Sequence, residues 1–333
     1  MNSGNKIYLI RRRTQSFLIH TERSGIKVIV RYGKIFTLFF VFLALLAGCG
    51  KAPKATGPQY GTAPLGEAQV IYRFGVHPLH NPKKLMDSYQ PLMDYLNKNI
   101  PGVQFVLEAS RDYSIFEEKY KNRKPEFILP NPWQTLGAIQ SGYSVIVMAG
   151  DPADFKGVII VRKDSGIKEP TDLKGKKVSY PSPTALAACI LPQYYLHAHG
   201  VDVTKDITNL YVGSQESSIM NVYLKTTAAG ATWPQPWRDF QKTHPKEAAE
   251  LMTIWETESL VNNSVMVLDE VPDSIKIQVE NILVQLNQTE EGNQILLNLE
   301  TDYFKSATNQ DYRLVQAFTD RFEREVRKIE LGK

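Results

Sequence analysis

Val70-Ile71-Tyr72-Arg73-Phe74-Gly75-Val76 reads as a strand, and Leu85, Met86, Tyr89, Leu92, Met93, Tyr95 and Leu96 follow it at the spacing of one helical face. A strand feeding an amphipathic helix is the unit of an α/β fold. Residues 97–101 end that helix, and the unit repeats in a strand at 103–109 and a helix at 113–120, with Ser110 and Asp112 available as caps. A buried strand at 126–130, a short helix at 133–140 and a strand at 143–149 continue the alternation. After a break at 150–156 come strands at 157–161 and 177–180 and a helix over 190–199 that stops at Gly200. A strand at 207–212, a helix at 217–225 capped by Ser214 or Ser217, and a strand at 228–232 follow, and 251–255 closes this part of the chain. From Val271 onward the pattern is helical: 275–286, 290–299 and 312–329, each with an apolar stripe. No repeat of fixed period emerges.

Upstream of the first strand the chain changes character. Residues 35–47 form an uncharged apolar run directly after Arg31 and Lys34, the pattern of a signal-peptide core behind its basic region. The run is shorter than the about 20 apolar residues a spanning helix needs, and Gly48-Cys49-Gly50 interrupts it. Leu46-Ala47-Gly48-Cys49 resembles the lipobox of bacterial lipoproteins. The resemblance implies cleavage before Cys49, a lipid anchor on its sulfur, and a location in the periplasm or at the cell exterior. Cys189 is the other thiol, so the lipidated chain can form no internal disulfide. Residues 1–29 are long for a leader, which predicts a translation start near Val30, and the Pro- and Gly-rich stretch 49–67 reads as a flexible tether.

The formal charge of +4 on 333 residues belongs to that leader. Residues 1–48 hold eight of the 39 basic residues and one of the 35 acidic ones, leaving 31 against 34 in the rest. A slightly acidic mature chain argues against nucleic acid as a partner. A composition of 43% hydrophobic and 22% charged residues is that of a globular protein long enough for two domains.

Asp172-Leu173-Lys174-Gly175-Lys176-Lys177-Val178, a Pro-containing loop, Leu191-Pro192-Gln193-Tyr194-Tyr195-Leu196 and Gly200-Val201-Asp202 give the chain a family likeness. Further echoes are Phe74-Gly75-Val76-His77-Pro78, Asp112-Tyr113 and Val271-Pro272. Together they resemble the phosphate/phosphite/phosphonate substrate-binding proteins of ABC importers, the PhnD-like branch of the type II periplasmic-binding superfamily. The resemblance implies a two-lobed α/β fold hinged on two crossover strands. One lobe would comprise 68–154 plus 265–333 and the other 155–264, with crossings near Phe155 and 257–263. It further implies capture of a small anionic solute between the lobes, an ABC permease as membrane partner, no cofactor and no catalysis.

Phosphonate binders of this family carry a run of hydroxyl residues at a helix start, where side chains and backbone amides hold the anion. Counted back from Pro192, that run is here Ala185-Leu186-Ala187-Ala188. Each lost charge-assisted hydrogen bond is worth about 1.5–3 kcal/mol, so phosphonate should bind more weakly by orders of magnitude unless other donors take over. Ser182 and Thr184 stand near enough to substitute if the loop shifts, and a capping role for Thr184 is equally open. Backbone amides at the same helix start leave a carboxylate or a less demanding anion possible as ligand.

Trp133, Tyr180, Trp233 and Trp237 fall in segments the family fold sets beside the cleft, and Gln235 lies between the last two in a stretch stiffened by prolines. Such rings could hold an organic cation or zwitterion; the plainer reading is core packing. His77 after the first strand and Asn131 before Trp133 sit at strand C-terminal ends, where open α/β sheets bind ligands. Asn262 and Asn263 either line the cleft or satisfy hinge backbone groups. The pairs His77/His80 and His197/His199 need not converge on a metal. No Gly-x-Ser-x-Gly, His-Glu-x-x-His or Gly-rich phosphate loop is present, which leaves catalysis without a named nucleophile or base. A binding protein that reports occupancy to a membrane sensor kinase would share all these features.

Overall fold

The structure is a computed structural model and describes residues 69–330. The leader, the start near Val30, Cys49 and the whole tether 49–67 lie outside the described residues.

The chain builds two sheets. Strands β1 (Val70–Val76), β2 (Val103–Glu108), β3 (Phe127–Leu129) and β4 (Tyr143–Ala149) alternate with helices α1 (Pro82–Asn99), α2 (Tyr113–Lys121) and α3 (Pro132–Gln140). It then crosses to β5 (Lys156–Arg162), β6 (Lys177–Tyr180), a π-helical turn (Leu186–Ile190) continuous with α4 (Leu191–Ala198), and β7 (Thr208–Tyr211). Helix α5 (Gln215–Tyr223), β8 (Ala229–Thr232), α6 (Pro234–Thr243), α7 (Pro245–Ala249) and β9 (Leu251–Ser259) complete the second sheet's layer. The chain returns through β10 (Ser264–Leu268), α8 (Asp273–Gln285), α9 (Glu290–Leu299), β11 (Phe304–Ser306) and α10 (Arg313–Glu325).

The six-stranded sheet has the order β11-β4-β10-β3-β1-β2, and the five-stranded sheet β7-β6-β8-β5-β9. In the first, β1 runs parallel to β2 and β3 while β10 inserts antiparallel between β3 and β4. Its buried face is aromatic: Phe127 packs edge-on against Tyr72 and Phe105 with ring centroids 5.7 and 5.4 Å away. In the second sheet β6 runs parallel to β7 and β8, and β5 antiparallel to β8 and β9. Two glycines let helices rest directly on this sheet. A Cβ on Gly230 would lie 2.5 Å from the Ser218 carbonyl oxygen of α5, and one on Gly157 would lie 2.6 Å from that of Ala187. The second contact seats the start of the helix 186–198 against β5.

Residues 150–155 and 260–263 carry the chain between the sheets and are bonded at both ends. Leu260 donates to the Phe155 carbonyl over 2.9 Å and Ala149 to that of Asn263 over 2.8 Å. Tyr312 donates through its hydroxyl to the Asn262 carbonyl at 2.7 Å, so one asparagine backbone serves as a hinge anchor.

Four stretches differ from the sequence pattern. Strand β10 follows the region read as crossover, where no element was expected, and β11 interrupts the region read as helical; β10 is buried on both faces and lacks the alternation that marks a half-exposed strand. Strand β9 runs on to Ser259 instead of ending at Trp255. The Trp-Pro-Gln-Pro-Trp stretch is the opening of α6, because proline at a first helical position forfeits only an amide that has no partner there. No described helix is long and apolar enough to cross a membrane.

Candidate functional site

Strand C-terminal ends and helix starts from both sheets converge on one small cavity of about 10 Å³, lined by His77, Tyr113, Asn131, Phe155, residues 185–188, Gln215, Trp233 and Asn263. A space of that size admits a single water molecule. No lysine, arginine, aspartate or glutamate lines it.

His77 directly follows β1 and is 2% exposed. Its Nδ1 donates to the Leu129 carbonyl at 2.9 Å, which leaves Nε2 with a lone pair. Burial lowers its pKa to about 4, the bond to Leu129 opposing this only in part, so the ring is neutral. Asn131 stands two residues past β3 and caps α3: its Oδ1 accepts from the backbone amides of Trp133 and Gln134 at 3.0 and 3.1 Å. That fixes the side chain, and its Nδ2 reaches across to the Thr184 carbonyl at 3.2 Å. Gln215 donates through Nε2 to the Tyr113 hydroxyl at 3.2 Å and accepts from Thr232 at 2.8 Å. Trp233 lies with its ring 5.5 Å from Phe155. The Oδ1 of Asn263 is buried without a partner. No side chain caps the π-helical turn, so its leading amides have no intrahelical acceptor.

The hydroxyls beside this turn are engaged elsewhere. Ser182 and Thr184 bond each other at 2.9 Å, and Thr184 donates to Oε1 of Glu117 at 2.7 Å. Gln134 donates to the same oxygen at 3.1 Å, while Oε2 of Glu117 has no partner. Glu117 is 1% exposed, and its burial raises the pKa against the pull of both hydrogen bonds. A carboxylate of the six-stranded lobe is thus bonded to a hydroxyl of the five-stranded lobe. Lys84 with Asp239, Arg327 with Gln193, and Gln235 with the Leu299 carbonyl also join the two layers.

Of the residues singled out from sequence, His77, Asn131 and Trp233 meet at the cavity. Ser182 and Thr184 are not in its lining: Thr184 is bonded to Glu117 and Ser182 to Thr184. Trp133 is half-buried against the main core, and Tyr180 is fully buried with its ring 6.1 Å from Tyr211. Trp237 packs on Phe240 and belongs to a separate core cluster with Val158 and Ile160. Gln235 and Trp233 line a neighbouring cavity of about 50 Å³ with Asp151, Asp154 and Arg238. Tyr113, Gln215 and the side chain of Asn263 are additional cavity residues. For the first two the sequence signal is position: each directly follows a helix N-cap, Asp112 or Ser214. No cluster of three metal-ligating side chains occurs among the described residues. Cys189 is buried and free, its thiol pushed up to about 12 by burial.

Residues 74–312 match the family of periplasmic substrate-binding proteins of phosphonate ABC transporters. A probable phosphite-binding protein of an ABC transporter from Prochlorococcus marinus (strain MIT 9301) is 27% identical over 133 residues, which span 37% of this chain and 45% of that protein. The chain thus aligns with less than half the length of this relative. Among solved structures, a binding component of a phosphonate ABC transporter from Pseudomonas aeruginosa superposes with a TM-score of 0.71 at 16% identity, over 77% of this chain and 88% of that one. A Prochlorococcus marinus protein solved with methylphosphonate gives 0.70 at 17% identity, over 76% and 98%.

Proposed function

The chain belongs to the family of periplasmic substrate-binding proteins of phosphonate ABC transporters, and on that premise we propose that it is a solute-binding lipoprotein which captures a small oxyanion between its lobes for an ABC permease. The lobes are divided as 68–154 with 265–333, and 155–264. The anchor is lipid on Cys49, which holds the protein at the outer face of the membrane through the tether 49–67.

One observation carries the ligand class: uncharged donors from both lobes converge with an uncapped helix start on a single small cavity. The Nδ2 of Asn131, the Nε2 of Gln215, the Tyr113 hydroxyl and the leading amides of the π-helical turn together replace the hydroxyl run that the sequence lacks. Helix-start amides favour an anion without needing a lysine or arginine. With room for a single water, the cavity must widen even for phosphite or methylphosphonate, and both entry and binding require the lobes to swing apart about 150–155 and 260–263. A quaternary amine is disfavoured, because of the four candidate rings only Trp233 lines the cavity, and the lining offers N–H and O–H donors that a cation cannot accept from.

Thermal unfolding with methylphosphonate, phosphite, alkylsulfonates, carboxylates and tetramethylammonium tests this reading, since a ligand at 100 times its Kd stabilises by about 2.7 kcal/mol. Phosphite or methylphosphonate should raise Tm, and Asn131→Asp, which sets a negative charge in the cavity, should abolish the shift. A rise with tetramethylammonium alone, or no rise with any small oxyanion, refutes it.

A further inference from the structure

The helix that opens at the cavity continues as α4, which borders a second concavity. Its walls are α4, the end of β9 with the crossing residues up to Leu260, and α10, and its volume is about 670 Å³. That lies within the roughly 300–1,000 Å³ of small-molecule sites. The floor is apolar and aromatic: Leu191, Tyr194, Tyr195, Leu260 and Phe318, with Leu314 at the lip 66% exposed. Tyr194 and Phe318 meet edge to face at 5.3 Å, closing the floor between α4 and α10. The guanidinium of Arg321 lies over both rings, 4.8 and 5.5 Å from their centroids. Stacked in this way it keeps its edge N–H groups free for an acceptor. Arg324 stands one turn further along α10, and neither arginine forms an ion pair among the described residues. Across the groove, Glu256 is held by Lys156 and Glu258 forms no ion pair among the described residues; on α10, Glu325 accepts from the Tyr194 hydroxyl at 3.0 Å, so the groups in the groove left with unmatched charge for an anion are Arg321 and Arg324.

We infer that this groove is a second binding site, distinct from the cavity between the lobes, for an amphipathic carboxylate. The acyl body lies on Tyr194, Phe318 and Leu260, and the head is held by Arg321 and Arg324. Charge complementarity decides the class of occupant: a neutral lipid would leave both guanidinium groups without an acceptor, and a cation would meet them directly.

Calorimetric titration of the protein with decanoate and with decyltrimethylammonium, which share a tail and differ in head charge, tests the site. Decanoate should bind saturably at one site per chain, at least tenfold tighter than the cation. Arg321→Gln with Arg324→Gln should remove that tenfold preference. Ala317→Trp, which fills the groove from the exposed face of α10, should abolish binding while leaving Tm unchanged. Equal affinity for both heads, affinity that survives Ala317→Trp, or no saturable binding overturns the inference. So does a dimer in sedimentation that Ala317→Trp dissociates, because the groove then covers a second copy of the chain.

Discussion

The helix 186–198 presents two unlike surroundings at its two ends. At its start the cavity is uncharged, about 10 Å³, and laced by hydrogen bonds between the lobes. At its far end the groove is about 670 Å³, aromatic, and rimmed by arginines without carboxylate partners. The difference shows how polar groups are handled in each place. Where water is excluded, charge is costly, so the start of the helix is surrounded by neutral side chains, most of whose polar groups are bonded to neighbours. Where solvent reaches the wall, charged ends cost little and long side chains lay their stems on apolar surface.

The largest expected effect separates the two ends by pH. His77 is buried as the neutral ring with a folded pKa of about 4 against 6.5 unfolded, so the unfolded chain takes up its proton first as pH falls. The stability that depends on its neutrality is whole above pH 6.5 and is lost as pH falls toward 4, by about 3 kcal/mol across that window. His80, also lowered to about 4 chiefly by burial, contributes with the same sign. Chemical denaturation at a series of pH values should give His77→Gln a shallower loss than the native chain. A parallel slope would mean that the ring is already protonated or solvated.

A smaller effect lies at Thr184. Thr184→Val keeps the shape and removes one of two donors to the buried Glu117 carboxyl. Loss of a hydrogen bond to such a group should cost about 2 kcal/mol, read as a lower denaturation midpoint with unchanged m-value. The smallest lies at the back: Arg321→Gln with Arg324→Gln should change stability by less than about 1 kcal/mol, because exposed side chains without ion pairs contribute little. A loss there as large as that at Thr184 would erase the contrast between a bonded interior and a solvated rim.

Much of the fold was legible in the chain because α/β units announce themselves by a change of hydrophobic period. The strand at Tyr143–Ala149 and the one at Lys177–Tyr180 match their sequence patterns at both ends. Strand β10 was not legible, since a fully buried run of five apolar and small residues carries no alternation. At the site, His77 and Asn131 were marked by standing at strand ends. Tyr180 and Trp237 were aromatic residues in the right segments whose rings pack inward, a choice made by their neighbours Tyr211 and Phe240.

Sequence by itself determined the alternation of strands and helices, the family likeness, and the absence of hydroxyls at 185–188, because these depend on local residue order. Only the tertiary structure decided where Ser182 and Thr184 turn. Ser182 turns to Thr184, and Thr184 to Glu117, which lies 67 residues from it in the chain; nothing local to either Thr184 or Glu117 encodes that meeting. The physical reason is burial: a carboxyl taken out of water must be met by whatever donors the opposing lobe supplies, and those donors are then withdrawn from the ligand.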